Sequence, residues 1–87
     1  MADKILDVTV LSPEKTVWQG RANRVILPGE SGVFEVLPFH KQLLSRLISG
    51  TIIIDEELFP IYRGVAQVGN NRVMIIIEKE SKKADQI

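Results

Sequence analysis

The segment from Val25 to His40, VILPGESGVFEVLPFH, joins two apolar runs through a glycine-bracketed acidic turn and closes on Pro-x-His. Val25, Ile26 and Leu27 precede the turn; Val33, Phe34, Val36 and Leu37 follow it. These β-branched and aromatic residues, bounded by Pro and Gly, fit strands of about five residues better than helices. Gly29 and Gly32 can adopt the positive φ of a tight reversal, and Glu30 and Ser31 are polar enough to stand in water, so a protruding hairpin is expected.

The rest of the chain reads the same way. In Ile5 to Leu11, Leu6, Val8 and Val10 alternate with Asp7 and Thr9, the period of two of a half-buried strand. Ser12 and Pro13 interrupt it, and Thr16 to Gln19 supplies a hairpin partner that Gly20 is expected to end. Leu43, Leu44, Leu47 and Ile48 have helical spacing, but Gly50 and the β-branched Thr51 to Ile54 follow at once, so a short strand or single turn is expected. Asp55, Glu56 and Glu57 form an acidic turn before Leu58 to Tyr62, where Pro60 restricts the strand to an edge or a bulge. Gly64 to Val68, the turn Gly69-Asn70-Asn71, and Val73 to Ile77 make a last hairpin. Strands spaced by roughly 8 to 12 residues predict an all-β fold, a sandwich or small barrel. One domain over 1–78 is expected, with a polar tail over 79–87, EKESKKADQI from Glu78 onward, that frays or forms a brief helical stub.

Composition narrows the function classes. A chain of 87 residues makes one small domain, near the size at which folding buries roughly 60–65% of the unfolded chain's surface. With net charge zero and pI near 6.6, it has no basic stripe for nucleic-acid phosphates. The absence of cysteine removes disulfides, thiolate metal sites and thiol nucleophiles. The run Val73 to Ile77 is far short of the ~20 apolar residues that span a bilayer, and MADKILDV lacks a signal peptide's apolar centre. A soluble protein that meets a membrane only through a partner is expected.

Chemistry is scarce. His40 is the only histidine, which excludes paired-histidine catalysis and HExxH zinc sites, and no carboxylate lies at a ligand-like spacing around it. GESG at Gly29 to Gly32 is one residue short of a nucleophile elbow and lacks the lysine and following helix of a phosphate loop. Glu56 and Glu57 are adjacent in sequence, which suits a solvated turn better than joint acid–base work. No catalytic residue, cofactor or metal is expected. Surface binding remains: Phe39 can close the core or present an anchor to another protein, and Trp18 fits a buried core role.

Several landmarks, in order and spacing, resemble the N-terminal domain of the epsilon subunit of bacterial F-type ATP synthases over nearly the whole chain, from about Ile5 to Ile77. Leu6-Asp7-Val8 with Ser12 and Glu14 is similar to that family's opening strand and turn, and Val17 to Gly20 to its aromatic-x-Gly close. Gly29 to Gly32 matches its acidic glycine turn, Pro38 and His40 its Pro-Gly-His, and Leu43-Leu44 with Gly50 the run that follows. Gly64, Val68 and Asn71 to Val73 agree with its final hairpin. Phe39 stands where the family usually has Gly, Lys41-Gln42 where it has Ala-Pro, Arg63 where another Gly is usual, and Val33 where an acidic residue is frequent.

The resemblance implies a two-sheet β-sandwich of about ten short strands. It also implies a non-catalytic rotor subunit linking gamma to the c-ring and coupling ion flow to ATP synthesis, at the cytoplasmic face of the bacterial inner membrane. By position, Glu30, Ser31, Gly32 and Val33 would face the c-ring loops, and Ser12 and His40 would lie near gamma. The family commonly continues into an inhibitory C-terminal helical hairpin; this sequence ends before it, so a short form is implied. The competing expectation is a free-standing ligand-binding sandwich, which would need a concave pocket lined with aromatics.

Overall fold

A computed structural model describes residues 5–78; the expected tail over 79–87 lies outside the described residues. Nine strands follow one another: β1 (Leu6–Leu11), β2 (Thr16–Ala22), β3 (Val25–Gly29), β4 (Gly32–Val36), β5 (Leu43–Leu47), β6 (Gly50–Ile54), β7 (Glu57–Ile61), β8 (Gly64–Gly69) and β9 (Arg72–Ile77). Among the described residues there is no helix. The reversals carry the backbone that their residues favour. Asn70 and Asn71 both have positive φ, 51° and 59°, in the two-residue turn between β8 and β9, Asp55 takes 54° between β6 and β7, and Gly32 takes 130° after the acidic tip.

β2, β1, β9, β8 and β5 form one layer in that order, and β4, β3, β6 and β7 form the other. β1 and β9 are the parallel pair; every other pairing is antiparallel. The expected all-β sandwich is present, with its layers joined into a single curled sheet. The joint is a long hairpin: β5 continues into β6, β7 into β8, and the register runs without a slip from Leu43↔Val68 through Leu47↔Gly64 and Gly50↔Ile61 to Ile54↔Glu57. It bends at Ile48-Ser49 and Tyr62-Arg63. Ser49 Oγ donates to the Tyr62 carbonyl at 3.1 Å, and the Ile48 N–H to the Pro28 carbonyl at 2.9 Å. Beside the bend, a Cβ on Gly64 would sit 2.5 Å from the Ile76 carbonyl oxygen, so the close approach of β8 to β9 requires glycine there.

Between the layers lies a core of sixteen buried apolar residues, supplied by alternate positions of the strands: Leu6, Val8 and Val10 of β1, Ile52 and Ile54 of β6, and Val73, Ile75 and Ile77 of β9 among them. No buried polar side chain interrupts it among the described residues. One strand runs further than its sequence suggests. Gly20 does not end β2, which continues to Ala22. The Trp18 ring lies over it, with a Cβ at Gly20 meeting the indole at 3.0 Å, so this glycine makes room for an aromatic rather than a turn. Trp18 is partly buried against the core and meets Phe59 of β7 at 6.4 Å between ring centroids, tilted by 60°, which closes one edge of the sandwich.

Leu43 to Leu47 is a strand, the extended alternative of the two that the sequence allows. Pro60 lies in β7, at the end of the strand path, where its missing N–H breaks no ladder bond to a further neighbour.

Candidate functional site

Reactive groups are sparse and dispersed. His40 is half-buried in the β4–β5 connection, its Nδ1 2.8 Å from the Lys41 carbonyl oxygen. No carboxylate is within ion-pair distance of it among the described residues, which also hold no cluster of three metal-ligating side chains. Glu56 is exposed, and so is Glu57, while Asp55 turns back on its own fold, accepting from the Asn23 and Arg24 N–H groups at 2.9 and 3.2 Å. That carboxylate braces the β2–β3 connection.

What the molecule offers is surface. On the outer face of the first layer, Leu44 of β5 is 70% exposed, Val65 of β8 41%, and Met74 and Ile76 of β9 39% and 51%. The register places them side by side: Val65 opposite Ile76, Gln67 opposite Met74 and Leu44, and Thr9 and Leu11 of β1 opposite Met74 and Ile76. An apolar patch continued across three adjacent strands, with Arg46 and Gln67 set within it, is the composition of a protein-docking face rather than of an ordinary solvated one. The signal was in the sequence: Val73 to Ile77 is apolar throughout, and in a strand such a run makes both faces apolar.

A groove of about 720 Å³ borders this face, between β4 and β5. Gly29, Glu30, Ser31 and Gly32 line one end, His40 lies at its margin, and Phe34, Leu43, Leu44, Arg46 and Val65 supply the walls. The hairpin tip is exposed, as expected of a protruding turn, but tethered: the Glu30 N–H donates to the Arg46 carbonyl at 2.9 Å. Gly32 has the positive φ; Gly29 is buried and serves closeness, since a Cβ there would lie 2.7 Å from the Phe34 ring. Thus three residues expected at one partner, Glu30, Ser31 and Gly32, share a groove with His40, expected at another. Val33 lies beside the tip, 74% exposed.

Ser12 is elsewhere. It follows Leu11, which pairs with Ile76, and its Oγ and N–H both bond to the Lys15 carbonyl in the β1–β2 turn, at 3.2 and 2.9 Å. His40 follows Phe39, whose N–H donates to Asn71 Oδ1 at 2.6 Å at the opposite end of β9. Phe39 itself is 71% exposed with φ 69°, an outward-facing ring in a left-handed conformation that favours glycine.

A second concavity, of about 1000 Å³, opens on the first layer and is lined by side chains such as Asp7, Thr9, Gln19, Arg21, Gln67 and Arg72, with no aromatic among its lining residues. It lacks the stacking surfaces that a free-standing sugar- or apolar-ligand module uses.

Comparison with known proteins gives a consistent picture. The family described as the β-sandwich domain of the ATP synthase delta/epsilon chain matches residues 5–82. The chain is 37% identical over 86 residues to the ATP synthase epsilon chain of Synechococcus elongatus, covering 94% of this chain and 62% of that one. It is 33% identical over 85 residues to the ATP synthase epsilon chain of Chlorobaculum tepidum, covering 92% of this chain and 97% of that one. Among solved structures, a chain of the Euglena gracilis mitochondrial ATP synthase, in an assembly of OSCP, F1 and c-ring, superposes with a TM-score of 0.82 at 16% identity, over 100% of this chain and 59% of that one. That last likeness is one of fold.

Proposed function

This chain belongs to the ATP synthase delta/epsilon family through its β-sandwich domain, and from that premise we propose that it is a non-catalytic subunit of the central stalk, joining gamma to the c-ring. The observation that carries the reading is the contrast between an apolar outer face on β5, β8 and β9 and an interior that, among the described residues, buries no polar side chain: the surface is the working part. Ion flow turns the ring, the sandwich passes the torque to gamma, and ATP synthesis follows elsewhere in the complex. The protein attaches to the membrane through that complex, in a bacterium at the cytoplasmic face of the inner membrane.

Stiffness is the physical requirement of such a position, and the long hairpin supplies it. Because β5–β6 and β7–β8 run through both layers in one unbroken register, sliding one layer over the other would break ladder bonds at the bend and shear a close-packed core. A block of this kind transmits torque with little internal deformation.

In this reading Glu30, Ser31, Gly32 and Val33 face the polar loops of the c-ring, and Ser12 and His40 lie beside gamma. The test is assembly. Expressed with gamma and the remaining soluble subunits, the chain is expected to enter the complex at one copy, and Glu30→Lys is expected to weaken attachment of the stalk to the ring more than binding to gamma. Failure to co-assemble sinks the stalk reading; equal losses at ring and gamma, or none at either, sink the assignment of faces.

A further inference from the structure

We propose that the groove between β4 and β5 receives an extended segment of gamma, three to four residues long, as an added strand on the free edge of β5. This rests on the stalk reading above and deepens it by naming the mode of docking.

The backbone of β5 makes the case. The Arg46 carbonyl accepts the Glu30 N–H at 2.9 Å, which turns the Arg46 peptide groups toward the β3–β4 hairpin and away from β8. Backbone direction alternates along a strand, so Leu44, two residues earlier, presents its N–H and carbonyl on that same side. Nothing among the described residues meets them: β3 pairs with β5 only at Gly29↔Leu47, and no loop residue bonds to the Leu44 backbone. An unpaired strand edge is a template for another strand.

Two of the sheet's other edges are guarded. β7 carries Pro60, and β2 has a register irregularity opposite Val10 and Leu11. At β5 no such device intervenes between Leu43 and Arg46, and Leu44 is 70% exposed. The groove fixes the length of the occupant. The β5 residues that line it run from Leu43 to Arg46, with the Glu30 N–H bonded at the Arg46 carbonyl, so a strand of about three to four residues matches the open stretch of β5.

Its chemistry follows from the walls. Phe34, Leu43 and Val65 ask for apolar side chains on the incoming strand. Arg46 is exposed and makes no ion pair among the described residues, so one acidic residue on the segment complements it. An apolar, singly acidic strand from gamma is the occupant to which these features point.

The experiment is residue-resolved amide hydrogen exchange on the full chain, free and bound to gamma, with capture by gamma measured for two variants. The Leu44 N–H is expected to exchange at least tenfold more slowly in the complex. Leu44→Pro removes that one N–H and leaves the Leu43 and Ser45 ladder to β8; it is expected to capture gamma at least tenfold more weakly than Leu44→Thr, which loses the same leucine side chain but keeps the N–H. If Leu44→Pro does not fold, exchange on the unmodified chain decides alone. Gamma binding with unchanged Leu44 exchange overturns strand addition and leaves the stalk reading standing. No binding of gamma removes both. Slowing of Leu44 exchange with chain concentration alone assigns the edge to a second copy and also overturns the proposal.

Discussion

Along one edge of the sandwich, Trp18 of β2 leans on Phe59 of β7, and Pro60 and a strand irregularity finish the two outermost strands. Along the other, β4 and β5 stand apart over a groove, Leu44 shows its side chain and its backbone, and the neighbouring face is apolar through Val65, Met74 and Ile76. The edges are made of the same kinds of residue, so hydrophobicity does not distinguish them. What differs is whether apolar groups face each other or face outward. The first edge holds the fold together; the second is the one we propose for a partner.

If that division is right, substitutions at the two edges separate stability from binding. The largest effect is expected at the closed edge. Trp18→Ala removes a partly buried indole and opens a gap beside Phe59, costing about 2–3 kcal/mol of unfolding free energy, read from the urea midpoint at unchanged slope. A change below about 0.5 kcal/mol would mean that the aromatic contact closes nothing.

Next in size is the open face. Ile76→Glu is expected to move stability by no more than about 0.5 kcal/mol, because the side chain is half in water, yet to weaken capture of gamma about tenfold, equivalent to about 1.4 kcal/mol. Loss of folding with intact capture by the folded fraction would reverse the assignment of the two edges.

The smallest effect is expected within the open edge itself. Phe39→Gly relieves a left-handed backbone and removes an exposed ring, so the folded state is expected to gain about 0.5–1 kcal/mol as a raised melting temperature. A destabilised variant would show that Phe39 contributes packing after all.

Much of the fold was legible because period and punctuation act locally. Leu6, Val8 and Val10 declare an inner face by alternation, Asn70-Asn71 declares a reversal by tolerating positive φ, and Pro60 declares an edge by lacking an N–H. Neighbours across the sheet are a different matter. A period of two says which way a side chain points, not which strand lies alongside, so the parallel β1–β9 pair and the passage of one long hairpin through both layers emerge only from the tertiary fold. Gly20 misleads for a related reason: read locally it is a break, but its role is set by the indole of Trp18 above it.

The candidate surface was half legible. The protruding turn around Glu30 follows from the sequence pattern, the outward placement of Val33 only from the family resemblance, and the apolar run Val73 to Ile77 implies a second apolar face. The free edge at Leu44 does not, because it arises from where β3 stops pairing with β5. Nor does the distance between Ser12 and His40, which lie toward opposite ends of the β1–β9 ladder. A gamma contact including both must run along the outer face between them, over Ile76 and Met74.

On the proposed reading, the open edge and its adjoining face are the working side of this rigid block. Mapping hydrogen exchange over the whole chain, free and in the assembled stalk, tests it most directly. Added protection is expected in β4, β5, β8 and β9, with the Trp18–Phe59 edge unchanged; protection centred on β2 and β7, with β5 exchanging as in the free chain, would put the working side at the closed edge instead.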